Sequence, residues 1–519
     1  MPTFPLQSAK GRSVMAATIL ASSMAFIDGT ALNVVLPALQ NQLQATAAGL
    51  FWVLNAYLLM LAALILVGGA LGDKLGRKRV FMTGILVFIA GSAACGLAAN
   101  VEQLVLFRVV QGGGGALMIP GSLSLLSSSI NENEQGKAIG TWSAFTTLVT
   151  MGGPVLGGAL ADAGLWRYIF FINIPLGLIS LFILRRHVPE QRNESAAGGI
   201  DYTGGALTAL GLAALTFGFL RMPEYGFSHW QSWGALAAGV LLLTAFVWVE
   251  MKSPNPMLPL HLFRNRTFSG ANLLTFFLYA AMGTGMLFLS LNMVQVQGYT
   301  QLQSGLTFLP FTVLMILLAR PAGGWADKTG PRPFLVGGPL LAGTGLFLMS
   351  LAGETGGPSY YWTTFFPGIL VLGLGMSLTV APLTATVMGA LPPQLSGTAS
   401  GVNNAVTRIA SVFATAIFGA LAVLLFAKDV RSGLEGMTMN EGLKSAVVAE
   451  TVNLGNAHPP GGVPQELSTT VKTIYKDGFI AAYRRILLIS AVLGWLSGLI
   501  AWWLIPGKAH FRKRPSANG

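Results

Sequence analysis

Charged residues are scarce in this chain: Asp, Glu, Lys and Arg make up 10% of its 519 residues, against about 25% in an ordinary soluble domain. With 53% hydrophobic residues and a mean hydropathy of +0.63, that scarcity excludes a soluble protein, whose cores do not need apolar runs of this length and number. Cysteine is nearly absent. Cys95 stands alone, so an intramolecular disulfide framework is excluded. Acids are the rarer charge, and 19 of them against 31 basic residues leave a net +12. The basic residues are scattered among hydrophobic segments and form no continuous face for nucleic acid. A Walker motif, a His/Cys metal cluster and a nucleophile–base constellation are all missing. Gly112 to Gly115 lack the Lys and Ser/Thr of a phosphate loop and lie inside a hydrophobic segment. Neither an enzyme nor a resident metal or cofactor is expected.

What is present is a series of apolar runs. A hydrocarbon core about 30 Å thick needs about 20 helical residues, and fourteen stretches satisfy this: 14–36, 51–71, 80–99, 104–126, 138–160, 168–186, 204–222, 232–250, 267–291, 303–322, 333–352, 363–388, 398–426 and 481–505. Lys10 and Arg12 precede the first, as in a signal peptide, but its length and Asp28 argue for a span. With the N-terminus in the cytoplasm, Lys74, Arg77, Lys78 and Arg79, then Arg185, Arg186 and Arg192, then Lys252, Arg264 and Arg266, then Lys328 and Arg332 fall on the inner side. The tail Lys508, Arg512, Lys513 and Arg514 joins them, and the short outer loops hold almost no base beyond Arg167 and Arg221. This is the positive-inside asymmetry, with both termini cytoplasmic. Residues 427–480 mix charges of both signs and lack a spanning run, which makes them an outer loop of unassigned role, either a partly helical cap or a spacer.

The chain repeats itself. After span 2 it reads Gly69, Ala70, Leu71, Gly72, Asp73, Lys74, Leu75, Gly76, Arg77, Lys78, Arg79; after span 10, Gly324, Trp325, Ala326, Asp327, Lys328, Thr329, Gly330, Pro331, Arg332. Gly158, Ala159, Leu160 in span 5 match Gly419, Ala420, Leu421 in span 13. Two six-helix halves emerge, with an extra pair near 204–250 between them, and repeated halves put a transporter's substrate site at their interface near the midplane. The layout is a cytoplasmic N-terminus (1–13), a first bundle (14–187), a linker with two added helices (188–266), a second bundle with the outer loop (267–505) and a cytoplasmic tail (506–519).

On these residues the chain resembles the major facilitator superfamily, and within it the fourteen-span drug:proton antiporters. The first inner loop matches the superfamily signature. Further segments resemble the drug-antiporter branch: Asp28, Gly29, Thr30, Asn33 and Pro37; Arg108, Gln111 and Gly112; Gly153, Pro154, Gly157 and Gly158; Trp166, Arg167, Asn173, Pro175 and Gly177; Asn404 and Arg408. The resemblance implies an all-α membrane protein with two six-helix bundles plus two inserted helices, exporting lipophilic molecules by alternating access. The proton gradient would be its energy source and a bacterial inner membrane its location. Whether an envelope partner receives the exported molecule is left open.

Asp28 lies about 12 Å below the outer end of span 1, with Arg108 at similar depth in span 4. Burial favours the neutral acid and a nearby cation favours the carboxylate, so proton, arginine and substrate compete there. The family resemblance assigns proton coupling to this region; the alternative is a structural ion pair. The loop residues Gly69, Gly72, Asp73, Gly76, Arg77 and Lys78, with Asp327 and Arg332, read as an inner gate, Gly72 and Gly76 permitting close approach, or as plain topogenic charge. Gly153 and Gly157 share a face and Pro154 removes a backbone donor, which with Gly158 suggests a hinge between the halves. A substrate cavity could draw on Phe26, Asn33, Trp52, Asn55, Tyr57, Gln111, Trp142, Phe145, Phe276, Tyr279, Phe308, Asn404 and Arg408, whose aromatic faces suit flat lipophilic cations. Residues 303–322 contain no acid, unlike relatives that take divalent cations. Monovalent cations, neutral drugs and anionic amphiphiles such as fatty acids or lipids therefore stay open as substrates, as does a non-transporting sensor or scaffold.

Overall fold

The computed structural model describes residues 3–190, 201–225, 229–254, 256–391 and 395–507. Arg192 and the basic tail from Lys508 onward lie outside the described residues, as do the side chains of Asp73 and Asp327. The spanning helices are α1 (Ala9–Leu43), α2 (Ala47–Leu75), α3 (Arg77–Leu97), α4 (Val101–Ser129) and α5 (Glu132–Asp162). Next come α6 (Tyr168–Phe171 continued as Asn173–His187), α7 (Tyr202–Tyr225), α8 (Trp230–Lys252), α9 (Arg266–Gln295) and α10 (Gln301–Leu306 continued as Leu309–Thr329). The last four are α11 (Arg332–Ser350), α12 (Phe366–Gly389), α13 (Ser396–Gly433) and α14 (Gln465–Leu504). Among the described residues, thirteen helices are long and apolar enough to cross a membrane. The expected fifth span is α5, several of whose side chains lie outside the described residues.

Helix is the form these segments must take, because a chain in hydrocarbon has to satisfy its own N–H and C=O groups. The two inner-loop repeats end their helices in the same way. Gly76 (φ +110°) and Gly330 (φ +93°) close α2 and α10, their N–H groups donating to the carbonyls four residues back, Gly72 and Ala326, at 3.1 and 2.8 Å. Only glycine takes that backbone without strain. The sequence repeat is therefore a repeated helix-stop that sends the chain straight into the next span.

Glycine also sets how near the helices come. A methyl group on Gly114 of α4 would strike the backbone of Phe88 in α3, whereas Gly113 faces open space. Gly112 and Gly115 face Tyr57 of α2, so the run serves two neighbouring helices and leaves Gly113 free. Between the halves, α2 meets α9 and α13: the Phe51 and Phe288 rings lie 6.2 Å apart, and Gly419 accommodates Phe51. The inserted pair α7 and α8 packs on itself and on α2, with Trp52 against Phe217 at 6.5 Å. The outer segment is shorter and more helical than the reading of 427–480 implies. α13 runs on to Gly433 and α14 begins at Gln465, and a helix (Glu441–Ala449) and a 3₁₀ turn (Glu450–Asn456) lie between them. The apolar content of these helix ends is too low to show as a span, which is why the sequence assigned them to loop.

The two glycines give opposite expectations. Gly114→Ala should lower thermal stability in detergent by about 1–3 kcal/mol, the usual range for overpacking, while Gly113→Ala should leave the melting temperature unchanged.

Candidate functional site

Asp28 is fully buried in α1, and Arg108 of α4 is 1% exposed. The Arg108 guanidinium donates from Nη1 to Asp28 Oδ2 at 2.5 Å, and Gln111 Nε2 donates to Asp28 Oδ1 at 2.9 Å. Gln111 Oε1 in turn accepts from Arg108 Nη1 at 2.9 Å, as it can because residues three apart share a helix face. Arg108 Nε donates to the Val53 carbonyl at 3.2 Å, and its guanidinium lies 4.3 Å from the centre of the Tyr57 ring. Both carboxylate oxygens are therefore partnered and the cation is stacked, which is what lets a charge pair exist in so dry a place. Gln111 and Tyr57, assigned to the substrate cavity from the sequence, are part of this network.

In the second half, the Nε of Arg408 on α13 is buried without a hydrogen-bond partner among the described residues. Asn55 is fully buried in α2 with both side-chain polar atoms unpartnered. Orphaned polar atoms of this kind are costly unless water or a ligand meets them. Other cavity candidates are placed elsewhere. Phe26 and Trp142 pair between α1 and α5 at 6.4 Å, and Trp142 donates to Ser22 Oγ at 3.2 Å. Trp52 faces the inserted pair through Phe217, and Phe145 is 51% exposed. Phe276 stacks near Phe413 at 6.4 Å, and Phe308 is buried at the break in α10. Asn33 is half-buried and reaches the Gly29 carbonyl of its own helix at 3.5 Å. Asn404 is exposed and likewise bonds within its helix, to the Ser400 carbonyl at 3.0 Å; its neighbour Asn403 makes the interhelical bonds, to Asn272 and Thr275.

The Gly153–Gly158 segment of α5 meets α1 beside the buried acid. Pro154 lacks an N–H, which leaves the Thr150 carbonyl without its helical donor. Thr30 Oγ1, two residues from Asp28, lies 3.0 Å from that carbonyl, and a methyl group on Gly153 would collide with the same hydroxyl. Gly157 faces Ala31. Gly153 and Gly157 thus pack on α1 inside the first half, whereas Pro154 and Gly158 meet the second half, as the sequence suggested for this segment: Gly158 packs against the backbone of Gln301 in α10, and Gly305 packs against that of Pro154.

At the end assigned outside, Asp162 closes this seam. Its two oxygens accept the Gln301 and Leu302 N–H groups at 2.8 Å each, placing a carboxylate from the first half on the positive end of α10 in the second. Gln40 of α1 bonds Gln295 at 2.8 Å and the Asn453 carbonyl at 3.0 Å, and Asn456 reaches Gln40 and Asn41. The outer segment therefore lies across the halves, with Leu454 fully buried at a positive φ of 54°. Sequence reasoning missed Asp162 and Gln40; Asp162 had one signal, an acid ending a span directly after the glycine pair.

Of the inner-gate residues, Gly72 faces open space, so it is not a point of close approach; Gly68, one turn earlier, meets the Ala116 carbonyl. A methyl group on Gly69 would lie 3.8 Å from Pro120, and one on Gly76 would meet Glu190. Arg77 bonds the Ser124 carbonyl at 3.4 Å. Lys78 donates from its backbone to Glu190 at 3.0 Å and from Nζ to the Val188 carbonyl at 2.6 Å. Arg332 donates to the Trp502 carbonyl at 2.5 Å.

The profile described as the Major Facilitator Superfamily matches residues 18–415. The chain is 29% identical over 506 residues to the tetracenomycin C resistance and export protein of Streptomyces glaucescens, covering 96% of this chain and 92% of that one. It is 31% identical over 501 residues to the multidrug resistance protein Stp of Mycobacterium tuberculosis (strain CDC 1551 / Oshkosh), covering 95% and 92%. Among solved structures, a bacterial homologue of the human lysosomal transporter Spinster, inward-facing and unoccupied, superposes with a TM-score of 0.66 at 18% identity, covering 96% of this chain and 98% of that one.

The buried network predicts strong non-additivity. Arg108→Leu should destabilise the protein by about 3–5 kcal/mol, because Asp28 is left buried and uncompensated, and Gln111→Leu by about 1–3 kcal/mol. Removing both charges, as Asp28→Asn with Arg108→Leu, should recover most of the larger loss in thermal melts of purified protein.

Proposed function

The chain belongs to the major facilitator superfamily and is a multi-pass membrane transporter, and from that premise we propose that it exports lipophilic small molecules in exchange for protons, by alternating access between its two six-helix bundles. The observation that carries this reading is the fully buried Asp28 held by Arg108 and Gln111. A carboxylate in a dry span is stable while its cation stays close; a proton delivered to it removes the charge that holds Arg108. The freed guanidinium then repels a cationic substrate, while a deprotonated Asp28 attracts one. Proton and substrate thus compete for one acid, which is the requirement for exchange.

Coupling needs this event to reach both halves. Tyr57 stacks on Arg108, and Thr30 links the helix of Asp28 to the Pro154 segment of α5, which meets α10 through Gly158 and Asp162. A shift of α1 relative to α4 therefore bears on the outer seam. The names of the relatives, a tetracenomycin C exporter and a multidrug resistance protein, support small-molecule export. A second reading, export of an anionic amphiphile, is favoured by the unpartnered buried Nε of Arg408.

Purified protein in vesicles with an imposed proton gradient, offered lipophilic cations, neutral drugs and fatty acids, tests both readings. Gradient-driven substrate movement is expected in the wild type, with Asp28→Asn reduced to the level of empty vesicles. Wild-type transport by Asp28→Asn would overturn the coupling assignment. Coupled movement of fatty acids alone would replace the drug reading with the amphiphile one.

A further inference from the structure

The inserted helix pair carries two acids that the transport reading does not use. Asp201 precedes α7, and its Oδ1 accepts the Gly204 N–H at 2.7 Å. Glu250 lies near the end of α8, only 3% exposed, and its Oε2 accepts the Leu258 N–H at 2.9 Å. The remaining oxygens, Asp201 Oδ2 and Glu250 Oε1, are buried without a hydrogen-bond donor among the described residues. They face one another: a methyl group built on Gly204 would lie 2.6 Å from Glu250 Oε1 and 2.7 Å from Asp201 Oδ2, and the two carboxyls are within hydrogen-bonding reach.

Around the pair, α7 supplies Asp201, and the segment 256–259 supplies backbone N–H groups and no titratable side chain. α8 supplies Glu250 and Lys252, whose Nζ lies 3.9 Å from the Trp248 ring centre. Among the described residues, Asp201 is the one charged group that acts on Glu250. Two facing acceptors repel when both are ionised, and one proton between them turns the repulsion into an O–H···O⁻ bond. A hard metal cation is a poor alternative, since it takes about six oxygen ligands and two are on offer in a gap shaped by glycine.

We propose that Asp201 and Glu250 form a proton-binding site in which the two carboxyls hold a single proton between them, clasping the start of α7 to the end of α8. Leu258 ties the same carboxyl to the strand of chain leading into α9, so the proton fastens the inserted pair to the entrance of the second bundle. The site is separate from Asp28 and stands whether or not the chain exchanges protons for substrate.

Glu250→Gln and Asp201→Asn each supply an amide N–H in place of the shared proton and so keep the clasp; asparagine also keeps the cap on α7. Infrared difference spectra of the purified full-length protein, wild type minus each variant at neutral pH, should show the carbonyl band of a protonated carboxylic acid. A proton bound in the folded state and released on unfolding contributes stability that is lost as pH rises through the titration of the folded pair. Wild-type melting temperature should therefore fall from mildly acidic to alkaline pH by more than that of either variant. Absence of the band in both difference spectra, or identical pH profiles, would overturn the proposal. So would saturable stabilisation by Na⁺, K⁺, Mg²⁺ or Ca²⁺ at fixed ionic strength that Glu250→Gln abolishes, which would identify a cation site instead.

Discussion

A carboxylate with no exposed surface, Asp28, is the constraint around which the first half is arranged. A charge in a membrane span has to be met by an opposite charge and by hydrogen bonds to its remaining lone pairs. Arg108 and Gln111 supply these from one face of α4, which in turn requires α4 to approach α1 and α2 closely. Gly112 makes the approach to α2 possible by fitting against the Tyr57 backbone, while Gly114 lets α4 pack on α3 at Phe88. Sequence features that look unrelated, an acid in span 1 and a glycine in span 4, are thus two parts of one packing solution.

The same acid is linked to the seam between the halves. Thr30, half a turn beyond Asp28, lies against the carbonyl that Pro154 leaves without a donor. Further along α5, Gly158 and Asp162 engage α10 of the second half. The outer segment is bound to this closure through Gln40 and Asn456, with Leu454 buried in a backbone conformation that side-chain-bearing residues rarely adopt. A strained, fully buried residue is held only where its surroundings over-determine it. This end of the interface is therefore built from backbone contacts, amides and the Asp162 carboxylate.

Much of this was legible in the residues. The spans followed from apolar run length, and the two halves from the Gly–acid–base–Gly–Arg repeat, whose physical content is the pair of helix-stopping glycines Gly76 and Gly330. The Asp28 and Arg108 pairing was legible because charges are so few. Facing was not legible. Gln111, Tyr57 and Trp52 have the composition of cavity residues, yet their neighbours, respectively Asp28, Arg108 and Phe217, depend on helix rotation that mostly apolar segments do not encode. Gly72 and Gly68 differ by one turn, and only the three-dimensional packing separates them. The partnership of Asp162 with the start of α10 spans 139 positions, and no local pattern announces it.

The central claim is that Asp28 gives up a proton when substrate binds. It is tested most directly by measuring proton release from weakly buffered, detergent-solubilised protein on addition of a substrate identified in vesicles. The account predicts substrate-dependent release from the wild type and none from Asp28→Asn at matched substrate occupancy. Equal release from both proteins would contradict it.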